Sequence, residues 1–392
     1  MAYNENGRDG STREKAFICR NYDDFLQAIN NYFVDHVLYI EFDKYKRDSE
    51  GNILKDENGN DILLTQEEKT IDFNDIEPED NNLGHEIYLG PREKSSINNY
   101  GIMYIYGNDW ILKNIWTYRS IFMKIGYIYK GKSSFIINKL HFLNFFQSSN
   151  ESVNGGFLYN VNYYINGTSH YKNNFYFNDC KFSMLFANVN YNCFGYVFDD
   201  DDKTITCNRC SFNFRCIGNY FSFFLNNNNH FNFEKYIDKQ TLPNNATLQK
   251  VGLQLVNCNF RFNLYYTLGL LTATNGLKNG NFIKYCKFSG FINDFHDTVP
   301  FYDINYPASS MVNNLYQIKT NTSDKSIYMK GAISEMINSD YSNFTATDSS
   351  SNYHFAPINK TGDSNEYLLN IEYLIRNRFP VMSEDEEDDN LI

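Results

Sequence analysis

The chain has little of what bends or braces a small fold. Only 7 prolines and 22 glycines occur in 392 residues, which excludes collagen-like repeats and Pro-rich or Gly-rich linker proteins. Two tryptophans are present. Positive charge is also in deficit, with 35 Lys plus Arg against 47 Asp plus Glu for a formal net charge of -12. A field of that sign repels a phosphate backbone unless basic residues gather on one face, and no basic run appears along the sequence, so no nucleic-acid partner is expected. No apolar run approaches the roughly 20 residues a bilayer crossing needs, so no membrane partner is expected either. The first ten residues lack the basic and apolar regions of a secretory signal, which argues against export by that route. A Gly-rich phosphate loop, a G-x-S-x-G elbow and an H-E-x-x-H pair are all missing, and no cofactor is expected.

What the chain has in excess is aromatic rings and asparagine: 34 Phe, 32 Tyr and 57 Asn. Six Asn-x-Ser/Thr sequons, Asn166, Asn245 and Asn359 among them, are what such a composition yields by chance. Eight cysteines are enough for four bridges, yet their placement in a repeat points to core thiols of a chain matured in a reducing cytoplasm.

The repeat is a short phrase, h-x-h-x-x-C-x-F. It occurs at Phe175, Phe177, Cys180 and Phe182; at Ile205, Cys207, Cys210 and Phe212; at Leu255, Cys258 and Phe260; and at Ile283, Cys286 and Phe288. Period-two alternation on both sides of a two-residue break reads as strand, corner, strand, with the apolar set facing one interior. The residue before each cysteine is Asp179, Arg209, Asn257 or Tyr285. Weaker copies lie upstream at Phe135, Ile137, Leu140 and Phe142 and at Trp110, Leu112 and Ile115, which places the cysteine-equivalent positions at 115, 140, 180, 210, 258 and 286. The uneven spacing suits a coil of short strands that bulge at their corners. Residues 226–250 read as an insertion or an extra coil. Helical repeats do not fit, because β-branched, aromatic and Asn residues dominate.

Upstream, Phe25, Leu26, Ile29 and Phe33 fall at helical spacing, with Asn21 or Asp23 as the N-cap, and a strand around Leu38 to Ile40 follows. Such a helix covers the open end of a coil, whose first strand otherwise exposes unpaired backbone groups. The resulting organisation is an arm over 1–20; a capping helix, first strands and a hairpin insertion over 21–100; coils over 101–300; looser coils and a cap over 301–382, with a last amphipathic element at 367–379; and an acidic tail over 383–392.

The phrase, its polar corners and the helix-then-strand opening resemble the right-handed parallel β-helix of the pectin-lyase-like superfamily, so the fold class expected is an all-β solenoid. The opening Asn21 to Ile29 followed by Tyr39 to Asp43 is similar to the start of bacteriophage virion β-helices. The Asn, Tyr and Phe excess resembles structural proteins of crAss-like phages of Bacteroides. That resemblance implies a head fibre, tail fibre, spike or capsid decoration, made in the host bacterial cytoplasm and located on the virion. Its implied partners are itself, as a homodimer or homotrimer, other capsid or tail proteins, and host surface polysaccharide.

Pectin-lyase-like folds often degrade polysaccharide, which raises a catalytic alternative. Glycoside cleavage needs two carboxylates about 5 to 9.5 Å apart. The candidates are Asp294, His296 and Asp297, which otherwise read as a polar corner, and the run Asp199, Asp200, Asp201 and Asp202, which otherwise reads as a solvated turn or a weak Ca²⁺ site. Cys207-x-x-Cys210, with Cys193, Cys216 or His230, invites a zinc reading, but both cysteines already have places in the repeat. Tyr159, Tyr163, Tyr164 and Tyr171, interleaved with Asn160, Asn162 and Asn166, are the densest candidate binding stretch, since rings and amides grip sugars and flat protein surfaces. The expectation is a structural protein and not an enzyme, with a depolymerase of the same fold or an assembly factor as the alternatives.

Overall fold

The computed structural model describes residues 7–30, 37–89, 101–118, 121–125, 131–148, 155–160, 171–187, 192–197, 202–217, 221–226, 251–267, 272–273, 281–295, 298–303, 309–312, 315–320, 326–330 and 333–337. The chain opens with β1 (Phe17–Cys19), α1 (Tyr22–Asn30), β2 (Val37–Phe42), β3 (Thr70–Asp72) and β4 (Ile87–Leu89). Next come β5 (Gly101–Lys113), β6 (Trp116–Tyr118), β7 (Ile121–Ile125), β8 (Gly131–Ser148) and β9 (Gly155–Asn160). The central coils comprise β10 (Tyr171–Asn178), β11 (Lys181–Phe186), β12 (Asn192–Val197), β13 (Asp202–Asn208), β14 (Ser211–Cys216) and β15 (Phe221–Asn226). They continue through β16 (Val251–Val256), β17 (Asn259–Thr267), β18 (Thr272–Ala273), β19 (Asn281–Lys284), β20 (Lys287–Phe295) and β21 (Thr298–Asp303). Last are β22 (Ser309–Val312), β23 (Leu315–Thr320), β24 (Ser326–Lys330) and β25 (Ile333–Ile337).

These strands stack in three parallel columns, in register from coil to coil apart from shifts where β5 meets β8, β8 meets β11 and β22 meets β25. The first runs β1, β2, the front of β5, the front of β8, β10, β13, β16, β19, β22 and β25. The second runs β3, the rear of β5, the rear of β8, β11, β14, β17, β20 and β23. The third runs β4, β7, β9, β12, β15 and β18, and β21 pairs with β24. One circuit through the columns is one coil, so the protein is an all-β parallel β-helix. β13 pairs directly with β16 and β14 with β17; of the stretch read as an insertion or an extra coil, Asn226 ends β15 and residues 227–250 fall outside the described residues.

Alternation builds the columns, because successive side chains in a strand point to opposite faces. In β11, Phe182, Met184 and Phe186 are buried while Lys181 is exposed and Ser183 and Leu185 are half-covered. The turn between the first and second columns is a single residue in the left-handed region: Lys139 (φ 50°), Asp179 (55°), Arg209 (52°), Asn257 (53°) and Tyr285 (57°). A residue in that region bends the chain sharply from one column into the next and costs less for Asn or Asp than for other side chains. The corner amides remain paired across coils, Asp179 N–H to Asn208 O, Arg209 N–H to Val256 O and Asn257 N–H to Lys284 O, each at 2.9 Å.

In the second coil the corner is longer. Tyr106 stands opposite Asn138 and Trp110 opposite Leu140, so Gly107, Asn108 and Asp109 occupy the place that Lys139 fills alone. Trp110, not Ile115, is therefore the cysteine-equivalent position of that coil. Ile115 sits at the following bend, where its carbonyl accepts from Phe146 N–H at 2.7 Å. The expected phase slipped because a three-residue corner followed by an apolar alternation offers two frames, and only cross-coil pairing chooses between them.

The first end is closed by α1, which buries Phe25, Ala28 and Ile29. Asn21 is the cap residue, its Oδ1 accepting from Asp24 N–H at 2.9 Å, and Asp24 Oδ2 accepts from Arg20 N–H at 3.0 Å. Phe17 to Cys19, inside the segment read as an arm, are buried and pair with β2. Asp43, 3% exposed, anchors the insertion that follows: its carboxylate takes charge-assisted bonds from Arg47 Nε and Arg20 Nε, and its carbonyl accepts from Trp110 Nε1. Two loops of the form Asp-x-x-Gly-Asn project from it. In each, an Asp accepts from backbone two and four residues on and from the Asn amide, with Gly51 and Gly59 at positive φ. Three arms close a ring of backbone bonds, Leu54 to Lys46, Ile62 to Leu54 and Lys46 to Ile62.

Candidate functional site

The interior is filled by rings and thiols. Phe142, Phe182, Phe212, Phe260 and Phe288 form one stack through five coils, with centroid separations of 5.4, 4.9, 4.5 and 4.8 Å and interplanar angles of 15° or less. A second stack from the third column, Phe157, Phe194 and Phe223, is spaced at 5.3 and 4.8 Å. The two stacks meet edge to face: Phe157 on Phe182 at 77°, Phe194 on Phe212 at 83° and Phe223 on Phe260 at 88°. Both geometries suit the ring quadrupole, whose positive edge seeks the negative face of a neighbour. The repeat phrase does not contain this second stack. Its signal is a phenylalanine inside each short strand GGFLYN, NCFGYV and FSFFLN.

Cys180, Cys210, Cys258 and Cys286 line the inner side of the one-residue corner, directly after the left-handed residue. Each thiol donates to the carbonyl two residues back: Asn178, Asn208, Val256 and Lys284, at 3.3 to 3.5 Å. Three also reach the preceding coil, Cys180 to Ile137 O, Cys210 to Phe177 O and Cys258 to Cys207 O. A thiol at this place is thus a weak donor that adds a second contact to corner carbonyls, three of which already accept a corner amide. All eight cysteines are buried, and none is in a disulfide. Burial pushes the Cys180, Cys193, Cys207 and Cys258 thiols up; at Cys210 burial is outweighed by the hydrogen bonds of Cys180, Cys207 and Cys258, which pull it down. Cys207 stands in register with Phe177 and Leu255, and among the described residues no group of three or more His, Cys, Asp or Glu is placed to hold a metal ion.

Contacts with other molecules fall to the outward faces. On the first column, Tyr39 and Tyr104 stack at 4.8 Å and 5°, Tyr106 lies beside Tyr104, and the Arg13 guanidinium sits 4.3 Å over the Tyr106 ring. Farther along, Asn178 Nδ2 donates to Asn138 Oδ1 at 3.0 Å and Thr206 to Gln254 at 3.0 Å. At the next corner Arg209 grips Asp179 with two bonds of 2.6 and 2.7 Å.

The second column's outward face is basic. Lys113, paired with Asp72 at 3.0 Å, lies on this face two coils before Lys181, and Lys181, Arg215, Arg261 and Lys287 follow on successive coils. The sequence shows no basic run because these residues are 26 to 68 positions apart; parallel stacking brings them onto one face. His141 faces outward among them at 7% exposure. Its Nδ1 accepts from Lys181 N–H at 3.2 Å and its Nε2 lies 3.5 Å from Asp109. Burial and the nearby Lys181 charge, partly offset by Asp109, hold its pKa down to about 4, so it is a neutral link across three coils.

Of the remaining sequence candidates, only some fall among the described residues. Asp294 lies in β20 opposite Tyr266, while His296 and Asp297 fall outside the described residues. Asp202 begins β13 opposite Lys172, while Asp199, Asp200 and Asp201 fall outside. Tyr159 lies in β9 between Lys124 and Tyr196, Tyr171 begins β10 opposite Gly131, and Tyr163 and Tyr164 fall outside. No protein-family model, curated protein or solved structure matches the chain.

Proposed function

We propose that the chain is a structural, non-enzymatic virion protein of a phage, a head or tail fibre or a capsid decoration that presents its outward faces to other virion proteins and to host surface glycan. The observation that carries this reading is the pair of interlocked phenylalanine stacks. They commit the interior to stiffness and leave the outer faces and corner loops as the parts that vary from coil to coil. Self-association side by side fits the stacked tyrosines of the first face, which as an isolated surface are an aromatic patch. The test is mass spectrometry of purified particles followed by particle reconstruction; absence of the chain from finished virions defeats this reading and favours an assembly factor. Incubation with host capsular glycan supplies the second test. Chain shortening that is abolished by Asp294→Ala with Asp297→Ala defeats the non-enzymatic reading and favours a depolymerase of the same fold.

A further inference from the structure

The formal charge of -12 is unevenly spread. On β11, β14, β17 and the start of β20, the outward positions carry Lys181, Arg215, Arg261 and Lys287, and the places between them are filled by Ser, Asn and Leu185. No carboxylate occurs at the described outward positions of these four strands. Lys181, Ser211, Asn259 and Lys287 form one row; Asn213, Arg261 and Ser289 a second; Arg215 and Asn263 a third. With coils about 4.8 Å apart and alternate residues about 6.7 Å apart along a strand, the cations cover a patch of roughly 14 by 13 Å. Two described acids at the adjoining corners have other partners, Asp179 bonded by Arg209 and Asp109 beside His141.

The same chain contains the complement: Glu384, Asp385, Glu386, Glu387, Asp388 and Asp389, six carboxylates in succession. We propose that this acidic run docks in cis on the basic outward face of β11, β14, β17 and β20. In an extended segment alternate carboxylates recur on one side every 6.7 Å or so, the spacing of same-face positions along the strands beneath. Reach is sufficient. β25 ends at Ile337 in the ninth coil, about 24 Å along the axis from the fourth at ~4.8 Å per coil. The 46 residues from 338 to 383 exceed that distance even at the helical rise of about 1.5 Å per residue. An unattached polyanion, nucleic acid or glycan, meets the same cations, but the acidic run belongs to the same chain, so its docking is intramolecular.

The full chain is treated at low concentration with a water-soluble carbodiimide, which joins contacting carboxylates and lysine amines, and the linked peptides are read by mass spectrometry from an equimolar mixture of ¹⁴N and ¹⁵N protein. The expected result is that Lys181 and Lys287 supply most links to residues 384–389. Those links should pair peptides of one isotope, fall at least fivefold in 0.5 M NaCl, and fall at least threefold at Lys287 in Arg215→Glu, an exposed change that leaves the fold intact. Links spread evenly over lysines elsewhere overturn the proposal. Mixed-isotope links at half the total overturn docking in cis in favour of a second copy. Undiminished carbodiimide capture of an added acidic oligosaccharide or single-stranded oligonucleotide at Lys181 also overturns it, because the tail then does not occupy the face.

Discussion

Truncating Phe212 to alanine removes the ring at the crossing of the two stacks. Phe212 is 2% exposed. It stacks on Phe182 at 4.9 Å and on Phe260 at 4.5 Å, and it takes the edges of Phe194 at 5.4 Å and Phe223 at 5.2 Å. Losing a buried phenylalanine costs about 3 to 5 kcal/mol through transfer and residual cavity. The oriented ring pairs raise that toward the upper end, at about 0.5 to 1.5 kcal/mol each and less than additively. Partial collapse is poor here, because the backbones above and below are fixed by coil-to-coil hydrogen bonds, so a loss of about 4 to 5 kcal/mol is expected. In a solenoid the damage is local before it is global. Urea unfolding followed by circular dichroism should show the lowered midpoint, and amide exchange should show early opening of β11, β14 and β17. Leu185→Ala, half-covered on the neighbouring strand, is the control, with a loss below about 1 kcal/mol. A loss at Phe212 no larger than that of Leu185, or opening confined to the chain ends, refutes the interlocked-stack account.

His141 makes stability pH-dependent. Its folded pKa of about 4 lies below the ordinary 6.5, so the unfolded chain binds the extra proton between those values; stability is complete above about pH 6.5 and declines as pH falls toward 4, by about 3 kcal/mol at 1.36 kcal/mol per unit. The difference in unfolding free energy between wild type and His141→Gln, measured across pH 4 to 7.5, should carry that slope, and a flat difference rejects it. Asp43→Ala leaves Arg20 and Arg47 facing each other without their carboxylate and frees the Trp110 indole's surroundings to shift; the expected cost is about 3 to 5 kcal/mol, with Asp43→Asn costing less, read by thermal or urea midpoints. At the corner, Lys139→Gly should be neutral or stabilising by up to about 1 kcal/mol and Lys139→Val should destabilise, a pair of signs that unfolding curves test directly. All eight thiols should resist a water-soluble disulfide reagent in the folded chain and react once urea unfolds it, as titration at 412 nm would count.

How much of this was legible beforehand depends on whether a feature repeats. The corner phrase around Cys180, Cys210, Cys258 and Cys286 shows because one backbone geometry recurs and imposes one pattern of alternation. The capping helix shows because its apolar spacing and Asn21 are local. Trp110 escaped because its corner holds three residues where the others hold one, and pairing between coils, which no window of sequence contains, sets its phase. Phe157, Phe194 and Phe223 escaped because the third column's strands are short and separated by connections of unequal length. The basic face was invisible for the same reason: cations dozens of residues apart in sequence become neighbours only when strands stack. His141 carries no pattern at all, since a single histidine acquires its depressed pKa from its burial between coils and from the Lys181 charge that the next coil places against it.

The helix laid over Phe42 and Phe73 gives the rod a direction. Among the described residues it packs on β1, β2 and β4 at that extremity, which makes that end a poor template for a second molecule and disfavours end-to-end addition there. Molecules of this protein that associate are directed to their flanks or the opposite extremity, and any bundle built from them inherits a head and a foot from nine residues near the beginning of the chain.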